Sequence, residues 1–221
     1  MPATQQIFQR MARSVAEGDG QAAAAAAGEA VRAGLDPLQA AEAGFAGAIR
    51  ALGEAFEREG ASLARLLSGS EAAQAGLAVL EAAMRFRGAT RRAGPQRPGP
   101  AVAIGTVAGD VHDIGKTLVA AVLRASGYRV RDLGAEVPAE TFVQAAGRAQ
   151  VLAMSAMLST SMIHQRDVVH LLAEKHPGSR CLTLVGGAPV TQAWADEIGA
   201  DAYAPGPREA ARLLAERLPS D

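Results

Sequence analysis

The chain has a single cysteine, Cys181, among its 221 residues. That excludes an intrachain disulfide framework and a thiolate cluster for zinc or iron and sulfur. Because Cys181 sits inside an apolar run, it reads as a buried structural thiol. Net charge is equally scarce: 22 Lys and Arg against 23 Asp and Glu leave −1. This gives no electrostatic footprint for nucleic acid, and no direct nucleic-acid binding is expected. No run is long and apolar enough to cross a bilayer, and Met1-Pro2-Ala3-Thr4-Gln5-Gln6 has no basic region followed by an apolar core. No membrane partner and a cytoplasmic location are therefore expected. Neither a Gly-x-Gly-x-x-Gly nor a phosphate-loop lysine motif occurs, which argues against an ordinary nucleotide site. What is present is a chain that is 49% hydrophobic, enough for one large domain or two small ones.

Residues 1–88 are rich in Ala, Leu, Glu, Arg and Gln, with Pro37 the one proline after position 2, a composition that favours helix. Leu52, Phe56, Leu63, Leu66 and Leu67, then Leu77, Leu80 and Met84, recur at helical spacing, and Gly18-Asp19-Gly20, Gly34-Leu35-Asp36-Pro37 and Glu59-Gly60 read as turns or caps. Four helices fit, and short connections imply an antiparallel bundle. The alanine run from Ala22 to Ala27 reads as a closely packed helix. Residues 89–100, rich in proline, glycine and arginine, read as an interdomain linker. From 101 to 221, apolar runs alternate with helix-length segments. Strands are expected at 101–107, 129–133, 151–156, 181–185 and 202–204, with helices starting near Ile114, Ala139, Ser161, Thr191 and Pro207. This alternation predicts an α/β domain with a five-stranded parallel sheet in the flavodoxin-like (Rossmann-like) order, helices on both faces.

The chemistry falls at the strand ends, the edge where ligands of such sheets sit. Gly109-Asp110-Val111-His112-Asp113-Ile114-Gly115-Lys116 puts an imidazole two residues from a carboxylate able to orient it as a metal ligand. Taken alone, a histidine there also suits a helix cap or a solvated surface. Ser155, Met157, Ser159 and Ser161 follow the third strand, and Gly186-Gly187-Ala188 the fourth. A long ligand with a tail descending beside the sheet gives this spacing a sense. Adjacent glycines remove side chains from its path, and the serine hydroxyls can bond a heteroaromatic base or its ribose and phosphate linkage. His164, His170 and His176, spaced by six, do not share a metal-binding face and read as solvated helix surface. Trp194 reads as packing, and Asp113 and Lys116 as solvated cap and helix charges.

Asp110-x-His112-x-x-Gly115, Gly186-Gly187-Ala188-Pro189 and the ending from Glu197 to Pro205 together resemble the corrinoid proteins of methyltransferase systems. These serve methanol, methylamine, betaine or aryl methyl ether demethylation; the chain is also similar to the cobalamin module of methionine synthase. The resemblance covers nearly the whole chain and implies a helical cap before a cobalamin-binding domain at 101–221. Its cofactor is then cobalamin, as methylcobalamin or another corrinoid. Carried over by position, it implies His112 as the lower ligand of cobalt, with Asp110 and Ser161 completing a ligand-tuning relay. Gly109, Val111, Asp113, Ile114 and Gly115 fall in the stretch that contacts the cofactor. Ser155, Met157 and Ser159 fall beside the displaced base. Gly186, Gly187 and Ala188 line the buried tail, and Tyr203 and Pro205 help close its channel. The implied function is methyl carriage on cobalt between a substrate-specific and an acceptor methyltransferase, with a reductive activase as a further partner: a carrier subunit rather than a stand-alone enzyme. A cobalamin-dependent light or redox sensor acting on a transcription factor through protein contacts shares the same architecture. Two departures stand out: Ser155-Ala156-Met157 replaces Ser-x-Leu, and Ser62-Leu63-Ala64-Arg65-Leu66-Leu67 replaces Phe-Leu-Pro-Glu-Leu-Leu. The second lies where the methionine synthase module covers the upper corrin face.

Overall fold

The computed structural model describes residues 3–59, 62–90 and 99–218. Two compact units divide the chain, Met1–Arg87 and Gly88–Asp221.

In the first unit, α1 (Ala3–Glu17) and α2 (Gly20–Arg32) flank the expected glycine turn. Gly18 takes a φ of 70°, and Asp19 caps α2 by accepting the Ala22 N–H at 2.9 Å. A third helical stretch joins α3 (Pro37–Ala40), a π-helical segment (Ala41–Ala46) and α4 (Gly47–Glu59), and α5 (Leu63–Thr90) is the fourth. The alanine run is packed: Ala23, Ala26, Ala27 and Ala30 form one buried face of α2, while Ile7, Met11 and Val15 are the buried apolar residues of the adjoining α1. Glycine permits a close helix approach at Gly76, where a Cβ would overlap the Phe45 ring. Of the residues that set the helical period, Leu52, Leu77, Leu80 and Met84 are buried, but Phe56, Leu63 and Leu67 are 39%, 58% and 55% exposed. The period marks the helices and overstates the core where α4 and α5 meet. Helix α5 reaches Thr90, past the boundary expected at 88. Most of the expected linker, 91–98, and Gly60 of the expected turn lie outside the described residues.

The second unit is a parallel sheet in the order β2-β1-β3-β4-β5, the expected flavodoxin-like arrangement. Its strands are β1 (Ala101–Thr106), β2 (Arg129–Asp132), β3 (Val151–Ser155), β4 (Leu182–Gly186) and β5 (Ala202–Tyr203). Between and after them come α6 (Ile114–Ser126), α7 (Ala139–Ala146), α8 (Met162–Lys175), α9 (Gln192–Ile198) and α10 (Pro207–Arg217). Alternation along the strands sorts side chains to two faces. Val102, Ile104, Val151, Ala153 and Leu184 pack with Leu123 of α6 and Leu214 of α10. Ala103, Leu152, Met154 and Val185 pack with Phe142 of α7, Val168 and Leu172 of α8 and Ala195 of α9. The register pairs Thr106 with Ser155 and Ser155 with Gly186, so β1, β3 and β4 end level and present one rim. Cys181 is buried, as expected. No helix among the described residues is long and apolar enough to cross a membrane.

Candidate cofactor site

The rim is organised around Asp110, which is wholly buried. Its Oδ1 accepts the His112 backbone N–H at 3.0 Å and lies 2.7 Å from His112 Nδ1. Its Oδ2 accepts the N–H groups of Met157 and Leu158 at 2.6 and 3.2 Å and lies 2.8 Å from the Ser161 hydroxyl. One carboxylate thus binds the β1–α6 loop to the β3–α8 loop. Burial alone would push its carboxyl up. The Met157 N–H, the His112 N–H, the Ser161 hydroxyl and the His112 ring outweigh that and hold it at about 2, against an ordinary 3.8. Ser161 Oγ is also 2.8 Å from the Leu158 carbonyl, so its one proton serves one of two acceptors at a time.

An ionised Asp110 accepts a hydrogen bond from Nδ1–H, which leaves the neutral ring's lone pair on Nε2. The His112 side chain is 50% exposed, so that lone pair sits on an accessible imidazole. The loop behind it is fixed by its backbone: Thr106 Oγ1 donates to the His112 carbonyl at 3.0 Å, and Glu136 N–H donates to the Asp110 carbonyl at 3.0 Å. Around the imidazole, Val111, Met157 and Leu158 are 65%, 46% and 41% exposed, a cluster of large apolar side chains left facing outward. Ser155 and Ser159 have no hydrogen-bond partner for their hydroxyls among the described residues. A Cβ on Gly115 would meet nothing within 4 Å.

The expected site residues therefore fall on one rim, but only Asp110, His112, Met157 and Ser161 among them are joined by side-chain bonds. Asp113 takes the N-cap position of α6 without a side-chain cap bond. Gly186 and Gly187 have a nearer reason than a ligand's path. A Cβ on Gly187, whose φ is 130°, would overlap the Ala156 carbonyl oxygen, and one on Gly186 would lie 2.8 Å from the Ala204 carbonyl oxygen. Ala188 and Pro205 are exposed and Tyr203 is half-buried.

Lys116 corrects the sequence reading. It is buried rather than solvated, with Nζ 2.7 and 2.6 Å from the two oxygens of Asp132. Its long side chain reaches a carboxylate at the end of β2 that a linear reading does not pair with it. Gln165, which no sequence motif marks, is wholly buried. Its Nε2 donates to the Met154 and Gly186 carbonyls, both at 3.1 Å, and its Oε1 accepts from Trp194 Nε1 at 3.0 Å. A glutamine one helical turn past Ser161 is the only trace of this in the sequence.

A Lewis-basic imidazole oriented by a carboxylate and set among outward-facing apolar side chains suits a metal held in a large, mostly apolar macrocycle. The fold and rim thus define a parallel α/β protein with a carboxylate-oriented imidazole at its strand ends. A family described as B12 binding domain matches residues 100–214, and a second of the same description matches 7–81. Trimethylamine corrinoid protein 1 of Methanosarcina mazei is 39% identical over 202 residues, 90% of this chain and 91% of that one. Dimethylamine corrinoid protein 2 of the same organism is 37% identical over 220 residues, 99% and 100% of the two chains. The structure of the Methanosarcina barkeri monomethylamine corrinoid protein matches with a TM-score of 0.86 at 29% identity, covering 97% of this chain and 100% of that one. The chain belongs to the cobalamin-binding corrinoid proteins, and its cofactor is cobalamin or another corrinoid.

Proposed function

We propose that this chain is the methyl carrier of a methylamine-type methyltransferase system. It holds cobalamin through His112 Nε2 and presents it in turn to a substrate-specific methyltransferase and to an acceptor methyltransferase that uses a thiol or tetrahydrofolate-type acceptor. The observation that carries the ligand assignment is the half-exposed His112 ring with its Nδ1 2.7 Å from buried Asp110. The carrier role is supported by relatives named trimethylamine and dimethylamine corrinoid proteins that match over both units; they favour carriage over the sensor reading.

When bound, the corrinoid supplies a cobalt centre able to accept and release a methyl group. The protein's part is orientation, access and proton control. Asp110, which its donors keep ionised at neutral pH, accepts from His112 Nδ1–H and orients the ring. Ser161 alternates its hydroxyl between Asp110 and the Leu158 carbonyl, adjusting how much negative charge faces the ring. In this reading Ser155, Ser159, Gly186, Gly187 and Ala188 receive the cofactor's tail, with Tyr203 and Pro205 beside it, and a reductive activase serves as a third partner.

The test is the visible spectrum of wild type and His112→Ala, each reconstituted with hydroxocobalamin. Wild type is expected to retain the cofactor with a histidine-ligated spectrum that the variant loses. A variant with the wild-type spectrum removes His112 as the ligand, and a wild type that retains no cobalamin removes the carrier reading.

A further inference from the structure

His164 lies in the first turn of α8, its N–H donating to the Ser161 carbonyl at 3.0 Å. It therefore stands one turn beyond the hydroxyl that meets Asp110. Its Nε2 looks onto the β1–α6 loop: a Cβ built on Gly109, the residue before Asp110, would lie 3.8 Å from that nitrogen. Its Nδ1 is 3.1 Å from Asp167 Oδ2; in the tautomer that donates to this carboxylate, the lone pair is on Nε2. The side chain is 40% exposed. This repeats, on the same rim, the arrangement at His112: a carboxylate orients an imidazole and leaves Nε2 as the open acceptor. Exposed Ile163 is its chain neighbour, and exposed Val111 lies two residues from Gly109, so His164 is a polar acceptor bordering an apolar rim. A plain solvated surface histidine does not account for its place against Gly109.

A corrin ring carries carboxamide side chains around its edge. Amide N–H groups brought down onto an apolar surface lose water and need acceptors. Resting on the reading that a corrinoid sits on His112, we propose that His164 Nε2 accepts a hydrogen bond from a peripheral carboxamide of the ring, with Asp167 as its positioning residue.

The experiment uses the full chain and measures dissociation constants for hydroxocobalamin and for its monocarboxylate isomers, each with one peripheral amide replaced by an acid. The proteins are wild type, His164→Ala and His164→Gln. One lost hydrogen bond corresponds to about 3- to 10-fold weaker binding. That loss is expected for His164→Ala, with the histidine-ligated spectrum intact. Wild type is expected to discriminate against one monocarboxylate isomer, His164→Ala to lose that discrimination, and His164→Gln, which keeps an acceptor, to recover most of it. Unchanged affinities in His164→Ala overturn the proposal. So does uniform weakening across all the corrinoids, or loss of the histidine-ligated spectrum in both variants, since either marks a merely structural role. If wild type itself takes up no cobalamin, the failure lies with the cofactor reading, and this contact falls with it.

Discussion

Asp110 is wholly buried and yet ionised, because donors from two loops converge on it. An asparagine there keeps the volume but turns one acceptor into a donor, facing either the His112 side or the Met157, Leu158 and Ser161 side. Asp110→Asn is expected to lower the unfolding free energy by about 2 to 3 kcal/mol at pH 7. Protonating the wild-type carboxyl costs stability too. Its folded value is about 2 against an ordinary 3.8, so the contribution is fully present above the ordinary value and lost as pH falls toward 2. It amounts to about 2 kcal/mol at neutral pH and is roughly halved near pH 3. Urea unfolding of both proteins at pH 7 and pH 3 measures the gap between them; a gap independent of pH removes the ionised carboxylate from the account. The sequence shows Asp110, His112 and Ser161 because their chemistry is coded in type and spacing. It does not show Lys116 or Gln165, whose partners Asp132 and Trp194 are brought near by strand and helix packing, nor His164, whose place beside Gly109 depends on how α8 leaves β3.

At the scale of elements, the ends of the buried strands β1, β3 and β4 follow from apolar runs that stop where the sheet stops being covered on both faces, and the strand ends agree with the sequence to within a residue or two. The π-helical segment at Ala41–Ala46 is not legible. Its Ala-Glu-Ala-Gly-Phe-Ala composition is that of ordinary helix. The rim glycines look alike in sequence and differ in what they face. A Cβ on Gly187 would overlap the Ala156 carbonyl oxygen at a φ of 130°, whereas one on Gly115, in the first turn of α6, meets nothing within 4 Å. Gly187→Ala should therefore unfold the β3–β4 end or abolish soluble expression. Gly115→Ala should be neutral or stabilise the helix by up to about 1 kcal/mol. If a corrinoid occupies the space beside Gly115, that same stable variant loses hydroxocobalamin. Thermal melting and cofactor retention, measured on both variants, separate the two roles. A Gly187→Ala protein that melts like wild type contradicts the packing argument.

At the scale of the whole molecule, the His112, Asp110, Met157 and Ser161 cluster and both apolar layers of the sheet belong to the second unit. Among the described residues, the bonds that orient the imidazole come from Thr106, Asp110 and Ser161. A fragment of residues 99–221 is therefore expected to unfold cooperatively and to take up hydroxocobalamin with the same histidine-ligated spectrum as the full chain. Binding to the folded state alone adds RT ln(1 + [L]/Kd), about 2.7 kcal/mol at a hundredfold excess over Kd. For a domain of this size that raises the melting temperature by about 10 °C. His112→Ala in the fragment should forfeit most of that shift while melting like the wild-type fragment without cofactor, because its half-exposed ring contributes little packing. A fragment that folds but gains no stability from hydroxocobalamin, when the full chain does, makes the helical unit an essential part of the site. Equal shifts in the two proteins assign the affinity to the second unit.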